Sequence, residues 1–170
     1  MAEIRLTTVQ NIVKSTPMGG NVGTDKYIFL IDIIQKMTLE PLLGTKLYEK
    51  IKVDYKANSL AGLYLQIHTD YLEPFLNYAT YSKYAHSGSN RIRNNGNLKP
   101  SPNNSEIMTN SDNSATENEY MNAASLYLDG LEKFLDIEGV NIPEYITQDN
   151  DYDKEAKDNE GYGSVTWYLG

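Results

Sequence analysis

The residues of this chain that could support catalysis are few and scattered. Its 170 residues include two histidines, His68 and His86, and no cysteine. The lack of cysteine excludes a thiolate nucleophile, a thiolate zinc site and a disulfide framework. A serine–histidine pair needs a base held against an activated hydroxyl, and nothing around His86-Ser87-Gly88-Ser89 indicates one. We therefore expect structural roles for both histidines, no catalytic residue and no enzymatic activity.

A glycine-rich segment, Gly19-Gly20-Asn21-Val22-Gly23-Thr24, precedes a predicted helix, which is an arrangement that can bind phosphate. A P-loop, however, has Gly-Lys followed by Ser or Thr and comes after a strand. No strand precedes this segment, and Asp25 would repel a phosphate. We interpret the segment as a hinge ahead of a capped helix, and we predict no cofactor.

The nearest match to a metal site lies in an acidic segment near the end of the sequence. Asp149, Asp151, Asp153 and Glu160 occupy positions 1, 3, 5 and 12 of a calcium-binding loop of the EF-hand type. Position 6, where the sharp turn needs glycine, is Lys154. We therefore interpret residues 147–170 as a solvated acidic tail and predict no metal site. A small calcium-binding regulatory or interaction module that uses this tail is the alternative function.

The charge distribution argues against a protein that wraps nucleic acid. The net charge is −8, and six acidic residues with two lysines place −4 of it in residues 147–170. Such a surface repels phosphate backbones. The one segment of positive sign contains Arg91, Arg93 and Lys99. We expect these side chains to pair with an acidic neighbouring subunit, because three charges give little affinity for nucleic acid at physiological salt.

The aromatic composition favours an assembly protein. There are 14 tyrosines against three phenylalanines and one tryptophan. Tyrosine suits half-buried faces and protein interfaces, because it joins an apolar ring to a hydroxyl that needs a partner. No apolar run approaches the roughly 18 residues of a membrane-spanning helix, and we expect a soluble protein with no membrane contact.

Hydrophobic spacing predicts an all-α fold, a small bundle of about four main helices with a protruding β-hairpin or long loop and extended termini. The predicted helices cover residues 24–37, 45–57, 59–67, 70–85 and 115–136. A break or kink near Asp70 separates two of them, because Pro74 disfavours helical geometry at Glu73. A short helix that contains Val9 and Ile12, capped by Thr8, is expected to dock on the core.

These elements divide the chain into an N-terminal arm (1–24), a helical bundle (25–146) and the acidic tail (147–170). Within the bundle, residues 87–114 depart from the helical pattern, and eight of these 28 residues are asparagine. The run Asn94-Asn95-Gly96-Asn97 contains the Asn-Gly pair of a tight hairpin turn. We expect a hairpin or long loop there, and no internal repeat is evident.

Two stretches carry a resemblance to a known family. They are Glu40-Pro41-Leu42-Leu43-Gly44-Thr45-Lys46-Leu47-Tyr48-Glu49-Lys50-Ile51 and the stretch YLEPFLNYATYSKYA at residues 71–85. With the helices around them, over about residues 25–136, they resemble bacteriophage head–tail connector proteins (head completion, adaptor or ring proteins), especially those of phages of gut Bacteroidetes. Neither stretch contains a catalytic signature.

The resemblance implies a virion protein at the head–tail junction, assembled in the host cytoplasm. Copies of it would form a ring, typically of twelve, that bridges the portal protein to other connector or tail proteins. The ring would form part of the DNA conduit, with non-specific contact to the passing genome. The residues expected to contact neighbouring subunits or partners are Pro41, Leu43, Gly44, Leu47, Tyr48, Arg91, Arg93, Asn95, Gly96 and Lys99.

Overall fold

The computed structural model describes residues 4–18, 23–88, 92–93, 96–97 and 110–146, and six helices make up most of this part. They are α1 (Val9–Ser15), α2 (28–43), α3 (Thr45–Lys56), α4 (62–88), α5 (Asn110–Glu138) and α6 (Pro143–Ile146). Two 3-10 turns, Thr24–Lys26 and Gly139–Asn141, precede α2 and α6. The predicted all-α class is confirmed, with six helices in the described part instead of about four.

The predicted short helix is confirmed as α1. Thr8 caps it, since the Thr8 hydroxyl oxygen accepts a hydrogen bond from the Asn11 N–H at 3.2 Å. Ile12 of α1 is fully buried, and Leu6 before the helix and Met18 after it are buried as well. These three side chains belong to the same hydrophobic core as the four long helices. Residues 4–18 are the described part of the predicted arm at 1–24, and N-terminal arm denotes residues 4–18 from this point on.

Helix α2 contains a wider π-helical turn, Gln35–Leu39, between two α-helical parts, Ile28–Ile34 and Glu40–Leu43. The prediction that the helix ends near residue 37 is therefore wrong. In the π turn the Glu40 N–H donates to the Gln35 carbonyl, five residues back. Pro41 follows directly, and the widened turn relieves the clash that a proline ring makes with the preceding α-helical turn.

Helix α4 repeats this construction. Its parts are Gly62–Gln66, a π turn at Ile67–Leu72, and Glu73–Gly88. The Glu73 N–H donates to the His68 carbonyl, and Pro74 follows. Of the break or kink predicted near Asp70, the break is wrong: a continuous helix passes through Pro74, with a π turn at Ile67–Leu72 just before the proline.

A glycine sets the turn between α2 and α3. Gly44 has φ 75° and ψ 153°, a backbone conformation that is open essentially only to glycine. Thr45 then begins α3, as predicted. At the other end of α3, Asn58 has φ 52° and the Ser59 N–H donates to the Asp54 carbonyl at 2.9 Å, which closes the helix end.

Helices α4 and α5 make the most extensive contact in the described part of the chain, and tyrosines line it. The Tyr78 ring stacks on Tyr127 at 5.8 Å between centroids and on Tyr120 at 5.9 Å. Tyr81 meets Tyr120 edge to face at 4.6 Å. These rings are half-buried, so many of the tyrosines counted in the sequence serve the packing of one subunit.

Between α4 and α5, Ile92–Arg93 (β1) and Gly96–Asn97 (β2) form an antiparallel pair in which Ile92 lies opposite Asn97 and Arg93 opposite Gly96. Each of these strands has only two residues, so the fold class remains all-α. None of the helices described has the length and apolar character needed to cross a bilayer.

Candidate functional site

Three buried polar side chains of the bundle face the N-terminal arm. Gln35 in α2 and His68 and Asn77 in α4 are 0%, 3% and 3% exposed. A buried polar group needs a hydrogen-bond partner, because leaving it unpaired costs free energy. All three find that partner in residues 4–7 of the arm. We call these three side chains the polar clamp.

Gln35 holds the arm through its backbone. Its Oε1 accepts a hydrogen bond from the Leu6 N–H at 2.6 Å, and its Nε2 donates to the Ile4 carbonyl at 3.0 Å. The same Nε2 also lies 3.2 Å from the Tyr48 hydroxyl, a donor–acceptor distance for a hydrogen bond. The glutamine amide therefore binds the arm's backbone with both of its polar ends, since it pairs with the N–H of one residue and the carbonyl of another.

His68 completes the contact at Leu6. Its Nε2 lies 2.8 Å from the Leu6 carbonyl oxygen. A carbonyl can only accept, so Nε2 carries the proton and donates it. The Tyr55 ring lies against the imidazole with centroids 4.8 Å apart. The Leu6 N–H and carbonyl are thus both bound, one by α2 and the other by α4.

Two further contacts fix the arm on either side of Leu6. The Thr7 hydroxyl donates to Asn77 Oδ1 at 2.6 Å inside the core. At the surface, Arg5 makes a two-pronged ion pair with Asp32 of α2, with Nε to Oδ1 and Nη2 to Oδ2 both 2.7 Å. These side chains are 34% and 28% exposed, so solvent weakens the pair.

Next to Asp32, helix α2 exposes a row of apolar side chains. Phe29, Ile33 and Met37 are 48%, 47% and 74% exposed and follow each other at intervals of four residues. Side chains four apart in an α-helix, such as Phe29 and Ile33, lie on one face, and Met37 follows them within the π turn. We call this row the α2 stripe. An exposed apolar row of this kind on a soluble surface is typical of a protein–protein contact.

The end of α2, the Gly44 turn and the start of α3 hold half of the residues that the sequence predicted to contact partners. Leu43, Leu47 and Tyr48 are each 0% exposed and lie in the core, and Gly44 is buried beside them. The prediction of a partner contact is wrong for these four, because their apolar groups are already covered by their own chain. Pro41 is exposed and remains available.

The remaining predicted contacts fall between α4 and α5. Arg93 and Gly96 are described as paired backbone in β1 and β2. Arg91, Asn95 and Lys99 lie outside the described residues. The same holds for residues 19–22 of the glycine-rich segment and for the acidic tail with Asp149, Asp151, Asp153 and Glu160.

A second polar contact joins α4 to α6. The Tyr64 hydroxyl donates to Glu144 Oε2 at 2.5 Å. Burial, and after it the hydrogen bond to the Glu144 carboxylate, raises the pKa of Tyr64 to about 12. The hydroxyl therefore stays protonated, and the contact stays intact, over the physiological pH range.

The side chains of the polar clamp are suited to binding a peptide segment. The Nε2 of His68 is bound to the Leu6 carbonyl, which gives this histidine the structural role expected of it. Among the side chains that the structure describes, no three metal-binding groups converge. A separate open pocket of about 310 Å³ adjoins the clamp and is lined by Tyr55, Asn58, Leu60, Leu65, His68 and Thr69.

Sequence analysis missed the polar clamp. A usable signal is present, since Gln35, His68 and Asn77 each stand within an apolar helix face. Polar residues at core positions need partners, so their presence indicates a buried contact. The partners could not be identified, because they are the backbone of Leu6 and the side chain of Thr7, which lie 29 to 70 residues away in the sequence.

Comparisons with known proteins identify a family. Neither a curated protein nor a solved structure matches the chain significantly. A family model described as "Family of unknown function (DUF6712)" matches residues 39–154, from the end of the α2 π turn past α6. Since this match spans more than half of the chain, the chain belongs to the DUF6712 family.

Proposed function

We propose that this protein is a structural subunit of a bacteriophage head–tail connector. Copies of it form a ring, typically of twelve, at the portal–tail junction of the virion. The ring helps to join the tail to the DNA-filled head and to form the DNA conduit. Its partners are further copies of the chain, the portal protein and other connector or tail proteins.

The observation that carries the proposal is the α2 stripe. Phe29, Ile33 and Met37 would be better covered, because removing apolar area from water is favourable by about 25 cal/mol per Å². A second copy of the chain is the occupant we propose. The stripe borders the Arg5–Asp32 pair, so a copy seated on it also contacts the neighbour's N-terminal arm. A ring requires such a contact between two different faces of each subunit.

Two sequence features support the same role. The stretch at residues 40–51 resembles connector proteins, and it forms the end of α2, the Gly44 turn and the start of α3. The loop at 87–114 is proposed to protrude as a hairpin, with β1 and β2 near its tip. Its Arg91, Arg93 and Lys99 then pair with an acidic neighbour or touch passing DNA without sequence preference.

The test is assembly of the purified chain and its presence in the virion. We expect a ring by native mass spectrometry and electron microscopy, and density for the chain below the portal in images of the phage particle. An Ile33→Lys variant should fold but lose the ring. Val53→Lys is the matched control, since Val53 is an apolar side chain that is 57% exposed on α3 and does not belong to the stripe. A wild-type chain that forms no ring and is missing from the virion would overturn the proposal.

The calcium-binding alternative depends on the acidic tail, residues 147–170, which lies outside the described residues. No observation favours it over a connector, so it is not proposed here as a second function. Calorimetric titration separates the two: we expect no heat of binding at millimolar calcium. A saturable heat of calcium binding that disappears in an Asp149→Asn variant would support the calcium-binding function instead.

A further inference from the structure

The N-terminal arm is held in the way that a protein holds a bound peptide. Leu6, Ile12 and Met18 provide apolar anchors that are 0%, 0% and 4% exposed. Gln35 and His68 of the polar clamp recognise the arm's backbone, and Asn77 and Asp32 bind side chains of the arm. The arm therefore occupies a groove with a defined apolar and polar pattern.

The groove requires an occupant. Without the arm, the amide of Gln35 and the imidazole of His68 would lose the Leu6 partners that they have in the core. Such groups are costly to leave unpaired in an apolar surrounding. None of these contacts, however, depends on the arm belonging to the same chain. The arm of a second copy offers the same side chains and the same backbone groups.

The chain between the arm and the bundle limits where that second copy can be. Five residues, Gly19-Gly20-Asn21-Val22-Gly23, follow Met18, and three of them are glycine. Five residues span at most about 17 Å when fully extended. An arm can therefore cross only to a subunit that is in direct contact with its own. The α2 stripe provides such a contact beside the arm, since Phe29 and Ile33 flank Asp32, which binds Arg5.

From this arrangement we propose that neighbouring copies exchange their N-terminal arms, so that residues 4–18 of one subunit occupy the groove of the next. The proposal deepens the connector function and rests on it for the ring, because exchange around a ring would join each subunit to the following one. Exchange of an identical element is a low-cost route to assembly, since the contacts are the same within and between chains.

A charge-reversal pair tests the exchange in the full-length chain. In Arg5→Asp alone, two acids face each other, and in Asp32→Arg alone, two arginines do. Mixing the two variants restores both ion pairs only when the arms cross between copies. We expect mixed assemblies, detected by native mass spectrometry with one variant isotopically labelled. Their yield should exceed that of either variant alone by about tenfold or more, because two like-charge contacts become ion pairs.

The matched control is an ion pair that cannot be exchanged. Lys50 Nζ and Asp54 Oδ2 lie 2.7 Å apart within α3, so both partners always come from one chain. Mixing Lys50→Asp with Asp54→Arg should give no increase in mixed assemblies. An Arg5–Asp32 mixture that behaves like this control would overturn the exchange.

A cross-link gives an independent measurement, because the chain has no cysteine of its own. Thr7 Oγ1 and Asn77 Oδ1 are 2.6 Å apart across the contact of arm and groove. Thr7→Cys on one copy and Asn77→Cys on another should give a disulfide-linked dimer when the two are refolded together and oxidised. If only the double variant cross-links, and only within one chain, the arm stays in its own subunit and the exchange is refuted.

The outcomes for the two proposals are separate. A ring whose arms cross-link only within chains would refute the exchange and leave the connector function intact. Cross-linked dimers from a chain that never forms a ring would support the exchange and refute the connector ring. Where a cysteine variant fails to fold, the surface charge pair decides, since Arg5 and Asp32 are both partly exposed.

Discussion

Replacement of Gln35 by methionine tests the central contact of the polar clamp. Methionine has nearly the same length and volume as glutamine, so the core remains filled, but it cannot pair with the arm's backbone. The Leu6 N–H loses its bond to the glutamine oxygen, and the Ile4 carbonyl loses its glutamine donor. The expected result is a destabilised chain whose N-terminal arm opens more often.

The magnitude follows from the burial of the two groups. Leu6 is fully buried, and a buried donor left unpaired costs about 1–3 kcal/mol. Ile4 is only half-buried, so water can replace the donor to its carbonyl, and the loss there is about 0.5–1.5 kcal/mol. The sum is about 1.5–4.5 kcal/mol, a large part of the 5–15 kcal/mol typical of a domain.

Two measurements check this prediction. Urea unfolding should show a lower midpoint with an unchanged slope, and hydrogen exchange should show loss of protection at Leu6. Gln66→Met is the matched control, because Gln66 is exposed on α4, and its midpoint should stay close to wild type. If Gln35→Met leaves both the midpoint and the protection of Leu6 unchanged, Gln35 does not hold the arm, and the clamp is misassigned.

Three further predictions concern other contacts. Tyr64→Phe removes the bond to Glu144; because the pKa of Tyr64 is raised to about 12, that contribution should be complete below pH 10 and fade between pH 10 and 12. Urea midpoints of wild type and variant should therefore converge across this interval, and a constant difference would contradict the assignment. Gly44→Ala forces a side chain into φ 75°, ψ 153°, and we expect a loss of about 1–3 kcal/mol in the same assay. Gly139→Ala would bring a Cβ to 2.7 Å from the Tyr145 ring, so hydrogen exchange should accelerate in α6; unchanged protection would show that the ring moves aside freely.

Sequence patterns correctly predicted where individual helices begin. Thr8 and Thr45 mark the starts of α1 and α3, because a capping hydroxyl or a residue after a glycine turn acts within a few residues. The prolines gave wrong predictions of where helices end or break. Pro74 was expected to break or kink a helix, by a rule that assumes α-helical hydrogen bonds throughout, and the same rule would end α2 at Pro41. Both prolines instead follow a π turn, in which that assumption does not hold.

A short match between the two helices would have revealed the common construction. Leu39-Glu40-Pro41-Leu42-Leu43 and Leu72-Glu73-Pro74-Phe75-Leu76 agree at four of five positions, and Gln35 and His68 stand four residues before them. The sequence reading found no repeat, since five residues are too few to exceed chance. The prediction of partner contacts around Gly44 failed for a different reason. Leu43, Leu47 and Tyr48 belong to the stretch 40–51 from which partner contacts were predicted, but apolar residues in such a stretch serve the core as readily as an interface.

The π turn of α2 has a consequence for the angular phase of the helix. Ile31 and Leu43 are twelve residues apart, and both are buried. In an uninterrupted α-helix, at about 100° per residue, their side chains would point about 120° apart. One inserted residue removes one such step and reduces the difference to about 20°. A single added residue thus allows one helix to keep both of its ends turned towards the same core. If residues 35–39 adopted regular α-helical hydrogen bonding with no residue removed, Leu43 would rotate out of this core.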